Sequence, residues 1–241
     1  MAPPSSSDVV SKLRLPLHHW HVAHGARMID LDGWQVPASY DGEREPSATT
    51  LSLADLSAFA KVSLRGKGVP ELVRTSLANT PAAKPLGVTT MAGNVLACRL
   101  SDDHLLLLGA APRLELRLAD IDLNISALSA GCQAPRAGVV IANTTSTYAG
   151  FALIGGPIEE MLRQLTAIDV SEKAFPVGSC VQTSFAGVTA MLVRAPKSSV
   201  RYVRIYVASD LGEYVWQKML DVGVRWNIAP LGLNRWQALH F

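Results

Sequence analysis

The sequence predicts an α+β fold, built as one large domain or two small intimate ones. Three observations carry that expectation. Strand-like segments come in pairs followed by single helices, once in each half of the chain, instead of alternating one by one with helices. Of the 241 residues, 49% are hydrophobic and 17% charged, which is enough to bury a substantial core. Neither G-x-G-x-x-G nor G-x-x-x-x-G-K-[ST] occurs, which disfavours the doubly wound nucleotide-binding folds.

The elements follow in order. Residues 1–14 open with a Pro/Ser-rich run (APPSSS) and are expected to form a disordered tail; nothing in Met1 to Lys12 is apolar enough for a signal peptide. The remainder, 15–241, is expected to divide into subdomains of about 15–135 and 136–241. Leu17 to Ala26 reads as a short helix stopped at Gly25, and Met28 to Leu31 as extended. Asp32-Gly33 is a turn signal, with Trp34, Val36 and Pro37 partly buried after it. Ala58 to Leu64 alternates like a strand, with Phe59, Lys61 and Ser63 opposing Ala60, Val62 and Leu64. Gly66 and Gly68 end it, and Val69 to Leu77 reads as a helix.

Val95 to Leu100 and His104 to Leu108 predict a hairpin turning over Ser101-Asp102-Asp103. Arg113 to Leu128 fits either strand or helix. Gly138 to Ala142 and Tyr148 to Leu153 read as strands. After Gly155-Gly156-Pro157, Ile158, Met161, Leu162 and Leu165 share one helical face. Gln182 to Arg194 and Tyr202 to Val207 read as strands broken by a polar turn. Asp210 and Glu213 form a capping-box pair opening a helix to Leu220, with Leu211, Val215, Met219 and Val222 as its apolar stripe.

Composition narrows the function. A formal charge of +2 without long basic runs argues against a nucleic-acid binder, and the longest apolar run, Leu105 to Ala111, is too short to span a bilayer. Cys98, Cys132 and Cys180 are widely spaced, with no C-x-x-C, so reduced thiols and a cytoplasmic location are expected. His18, His19, His21 and His24 crowd one segment, and His21 and His24 would share a helix face. Without H-E-x-x-H or a second ligand cluster, packed or solvated imidazoles are expected and no metal. Asp102-Asp103 and Glu43-Arg44-Glu45 read as solvated loop charges. There is no G-x-S-x-G elbow, and no cysteine has an activating flank.

Pro16 to Tyr40 (PLHHWHVAHGARMIDLDGWQVPASY) resembles the opening of glycine-cleavage T-proteins, with Gly25, Arg27, Met28, Gly33, Trp34, Pro37 and Tyr40 on the motif. Leu53-Ala54-Asp55-Leu56-Ser57 resembles the family's L-F-D-[VL]-S step, and the likeness runs on through Lys61 to Gly66. Ala152 to Pro157, Ala186 to Arg194, Ile205 to Val207, the Trp216 helix and Pro230-Leu231-Gly232-Leu233 resemble later family segments. The likeness covers nearly the whole chain but only the first two-thirds of a T-protein, without its C-terminal barrel. Thr145 to Ala149, Ala174 to Pro176 and Cys180 to Thr183 look nearer to the γ subunit of heterotetrameric sarcosine oxidase.

The resemblance implies a ring of α+β subdomains, with mixed or antiparallel sheets and packed helices, around a central cavity for tetrahydrofolate. It implies Tyr40, Asn94, Tyr202 and Arg235 as cofactor-binding candidates, Asp55 and Asn94 as catalytic candidates, and a cavity lined in part by these five. Two departures stand out. Gly93-Asn94-Val95 falls where the family has D-D-L, and an amide is neither a general base nor a counter-ion for an iminium-like cation. Arg194 to Val207 spans the motif R-x-G-Y-T-G-E-D-G-x-E-I-Y-V, putting Val200 on the glutamate assigned to the pterin and Lys197 on the tyrosine. The expectation is a folate-family ligand-binding or accessory protein with weak or absent tetrahydrofolate binding. Its alternatives are an active aminomethyl or methyl transferase, or a subunit of an amine oxidase complex. Partners would be a small molecule, a protein partner or a second copy.

Overall fold

The computed structural model describes residues 12–110, 138–196 and 200–239. Within them the chain is α+β, as the pattern of paired strands predicted. The six-stranded central sheet contains β4 (Leu51–Asp55), β10 (Tyr148–Gly155), β11 (Ser179–Phe185), β12 (Val188–Arg194), β13 (Tyr202–Ala208) and β14 (Ala229–Leu231). Its order is β11-β12-β13-β10-β4-β14, antiparallel except for the β14–β4 pair. The five-stranded antiparallel sheet contains β5 (Lys61–Arg65), β6 (Val88–Met91), β7 (Val95–Ser101), β8 (His104–Leu108) and β9 (Val140–Asn143), in the order β6-β7-β8-β5-β9. A three-stranded sheet holds β1 (Leu13–Arg14), β2 (Ala26–Leu31) and β3 (Trp34–Tyr40).

Side-chain alternation layers these sheets. On one face of the central sheet, Leu53, Phe151, Leu153, Leu192, Val203 and Ile205 pack against α1 (His18–Ala23), α3 (Ile158–Leu165) and α4 (Gly212–Gly223). The predicted face of α3 holds: Ile158, Met161, Leu162 and Leu165 are all buried there. On the other face, Ala152, Ile154, Met191, Val193, Tyr202 and Tyr206 meet Leu96, Cys98, Leu106 and Leu108 of the five-stranded sheet. That sheet's far side, including Val62, Leu64, Ala97 and Leu107, covers α2 (Val69–Ser76). The inner strands β10, β12 and β13 are covered on both faces and read as nearly continuous apolar runs, whereas edge strand β11 alternates buried and exposed positions. Each fully buried Leu or Phe contributes about 1.5–3 kcal/mol relative to exposure.

Both sheets cross the 135/136 division expected from the sequence. β4 joins β10 in the central sheet, and β9 joins β5 in the five-stranded one. The expected tail is shorter at its inner end, because Leu13 and Arg14 pair in parallel with Trp34 and Gln35; residues 1–11 lie outside the described residues. The Asp32-Gly33 turn has φ of 52° and 87°, the two positive values of a tight hairpin. A second such hairpin, at Ala186-Gly187 with φ of 51° and 83°, splits the expected strand Gln182 to Arg194 into β11 and β12. The Asp210–Glu213 capping box does not form: a 3₁₀ turn, Ser209–Leu211, enters α4 with no side-chain cap bond. The ambiguous stretch Arg113 to Leu128, with Cys132 and Lys197, lies outside the described residues. No helix among the described residues is long and apolar enough to cross a membrane.

Candidate functional site

β5 sets the site through its alternation. Val62 and Leu64 face α2, so Lys61, Ser63 and Arg65 face the opposite way, toward the central sheet. There a cavity of about 270 Å³ opens between the two larger sheets. One wall is Lys61, Ser63, Arg65, His104, Leu106 and Leu100; the other is Tyr206, Met191, Gln182 and Tyr148, with Ala142 and Thr144 closing the side. None of its described lining residues is Asp or Glu.

Lys61 is the least expected of these, at 1% exposure. Its Nζ donates to the carbonyls of Ser57 and Phe59 at 2.9 Å and of Thr145 at 3.4 Å. Burial pushes the ammonium down to about 7, while the nearby Asp55 charge draws it up and Arg204 pushes it further down. Arg204 is also buried, lies over the rings of Tyr202 and Trp236, and donates from Nη1 to the Gly109 carbonyl at 3.5 Å. Its Nε has no hydrogen-bond partner. Neither cation has a carboxylate within ion-pairing distance among the described residues. His104 donates to or accepts from Ser63 Oγ at 3.0 Å. Burial, then the Arg65 charge, holds it down at about 4, so it is neutral at pH 7. Cys98 and Cys180 are free buried thiols in the core between the two larger sheets, and burial pushes Cys98 well up.

The five residues expected to line one cavity do not come together. Tyr40 and Asp55 meet only through His21, whose Nε2 lies 2.8 Å from Asp55 Oδ2 and whose Nδ1 lies 2.6 Å from the Tyr40 hydroxyl. The other Asp55 oxygen accepts from the Ser57 amide at 2.7 Å. Burial, then the Asp55 and Glu43 charges, keeps the Tyr40 phenol protonated. Asn94 is exposed at the β6–β7 turn with φ of 57°, a conformation Asn tolerates well. Tyr202 packs edge-on to Trp236 and, with Val200, lines a separate outer groove of about 410 Å³. Arg235 is half-buried and pairs with exposed Glu45 and with the largely buried Glu43, which also accepts from the Tyr40 amide at 2.7 Å.

Of the clustered histidines, His21 reaches across the fold to Asp55 and Tyr40, and His24 is used locally. His24 stacks on Trp20 at 3.8 Å and bonds its carbonyl, and no group of three or more His, Cys, Asp or Glu among the described residues could hold a metal. Sequence reasoning missed Lys61, Tyr206 and Arg204 as site residues. The signal was present in K-V-S-L-R, where the polar set alternates against a fully apolar one.

The architecture now has counterparts. The model of the GCVT N-terminal domain matches residues 17–241. The chain belongs to that family. This GCVT N-terminal domain is 27% identical over 244 residues to an aminomethyltransferase of Desulforamulus reducens and 25% identical over 234 residues to one of Bacillus subtilis, with 95% of the chain covered in each case. It spans 63% and 64% of the length of those relatives. Among solved structures it resembles glycine cleavage system aminomethyltransferase T from Bartonella henselae, with a TM-score of 0.68 at 16% identity over 94% of this chain and 61% of that one. It also resembles a chain of heterotetrameric sarcosine oxidase from Corynebacterium sp. U-96, with a TM-score of 0.60 at 18% identity, covering 90% of this domain and 97% of that chain. Both likenesses show the fold.

Proposed function

We propose that this GCVT N-terminal domain binds a small molecule between its two larger sheets and does not itself transfer aminomethyl groups. The observation that carries the reading is the fate of its carboxylates. Asp55 has one oxygen on His21 and the other on the Ser57 amide, with its side chain fully buried, and the described cavity lining contributes cations and hydroxyls instead. A cationic one-carbon unit needs a pre-placed anion for stabilisation, and a positive wall does the opposite.

Tetrahydrofolate fits this lining poorly. A pterin edge presents N–H donors that call for a carboxylate acceptor, and Val200 offers none and lies on the outer groove. Loss of one charged hydrogen bond costs about 1.5–3 kcal/mol, or roughly ten- to hundred-fold in affinity. Calorimetric titration is expected to give tetrahydrofolate a dissociation constant weaker than about 100 μM. A complex of micromolar strength or better would overturn the reading.

A second reading, that the domain serves as a subunit whose partner supplies the chemistry, is favoured by its near end-to-end likeness to one chain of a heterotetramer. Co-expression with the other subunits of a heterotetrameric sarcosine oxidase, followed by size-exclusion chromatography, tests this. Co-elution in fixed stoichiometry supports the subunit role, and separate elution removes it.

A further inference from the structure

Two buried cations and one buried carboxylate meet behind the cavity wall. The Arg204 charge pushes on Lys61 and the Asp55 charge draws it the other way, and Asp55 is not among the residues that line the cavity. Arg204 and a Lys61 that is about half protonated near pH 7 stand near one carboxylate, and His21 and the Ser57 amide already hold its oxygens, so the site keeps a net positive character. Unpaired buried charge is costly, so a site of this kind is completed by an anion from outside.

The hydrogen-bonding inventory says where that anion would bind. The three Lys61 protons are already directed at the carbonyls of Ser57, Phe59 and Thr145, so Lys61 supplies field and not a contact. Arg204 donates to the Gly109 carbonyl at 3.5 Å and its charge acts on Tyr206, whose phenol burial keeps protonated and able to donate. Tyr206 lines the cavity, as does Arg65, whose guanidinium is exposed at the rim and has no ion-pair partner among the described residues. Leu100, Leu106 and Ala142 on one sheet and Met191 on the other supply the apolar part of the lining. At about 270 Å³ it lies just below the usual range of roughly 300–1,000 Å³ for ligand cavities, room for one ring and not for an extended cofactor.

We propose that this cavity binds a small flat organic carboxylate, its charged end held by Arg65 and the Tyr206 hydroxyl in the field of Lys61, its ring between Leu106 and Met191. The proposal rests on the reading of the domain as a ligand binder and names the class of ligand. It inverts the charge preference expected of a site for a cationic one-carbon unit.

Benzoate and its neutral isostere benzamide are the probes, titrated calorimetrically into the full chain. Benzoate is expected to bind at least about ten-fold more tightly than benzamide, the ratio given by one charged hydrogen bond. Arg65→Gln, a change at an exposed position, is expected to weaken benzoate about ten-fold and leave benzamide unchanged; Tyr206→Phe should act in the same direction. Equal binding of the two probes, no benzoate binding at 10 mM on the order of the weakest affinities such cavities show, or indifference to Arg65→Gln overturns the proposal. Failure here leaves the absence of aminomethyl transfer standing, because turnover and tetrahydrofolate affinity are read separately.

Discussion

His21 Nε2 lies 2.8 Å from Asp55 Oδ2, and both side chains are fully buried. With Tyr40 donating to His21 Nδ1, the three residues tie α1, β3 and the end of β4 into one polar chain beneath the core. The arrangement resembles a proton relay in outline; with the His21 and Asp55 side chains fully shielded, we propose a structural role for it.

That assignment predicts the response to His21→Leu. The substitution strands the Asp55 charge and the Tyr40 hydroxyl, and removal of one partner of a buried pair costs about 3–5 kcal/mol. Urea unfolding should show this as a lower midpoint with an unchanged slope. A change below about 1 kcal/mol would mean that Asp55 has another way to satisfy its charge.

Lys61 predicts a rise of stability with pH. Its folded value of about 7 lies below the unfolded value of 10.5. Between those values the unfolded chain binds more protons, so unfolding free energy increases as pH climbs from about 7 toward 10, and the penalty is fully present below 7. In Lys61→Met the slope over that window should flatten. An unchanged slope would place the titration elsewhere.

The Ala186-Gly187 turn predicts a stabilising substitution. Ala186 sits at φ of 51°, where an L-residue other than Asn, Asp or Gly is strained by about 1–2 kcal/mol. Ala186→Asn should recover about 0.5–1 kcal/mol and raise the thermal midpoint by about 1–4 °C. A lower midpoint would show that the Ala186 methyl group contributes packing that outweighs the strain.

The same turn shows why parts of the fold were not legible in the sequence. Asp32-Gly33 carries the composition of a two-residue hairpin and was read correctly, whereas Ala186-Gly187 has glycine at the second position but alanine, which disfavours positive φ, at the first, so β11 and β12 merged into one strand. The α3 face was legible because four apolar residues kept helical spacing. Lys61 and Asp55 were harder for a different reason. A lysine in a strand reads as exposed, and its burial depends on carbonyls of Ser57, Phe59 and Thr145, the last from a distant part of the chain. Asp55 was identified through its motif, but its His21 partner lies 34 residues away, and no local spacing announces that pairing.

The most direct test of the account is turnover by the purified chain with an aminomethylated carrier and tetrahydrofolate, run beside Asp55→Asn. The account predicts no methylene transfer above the carrier-only rate for either protein, with Asp55→Asn distinguished only by reduced stability. Turnover by the wild type that Asp55→Asn abolishes while remaining folded would contradict it and make Asp55 a catalytic residue.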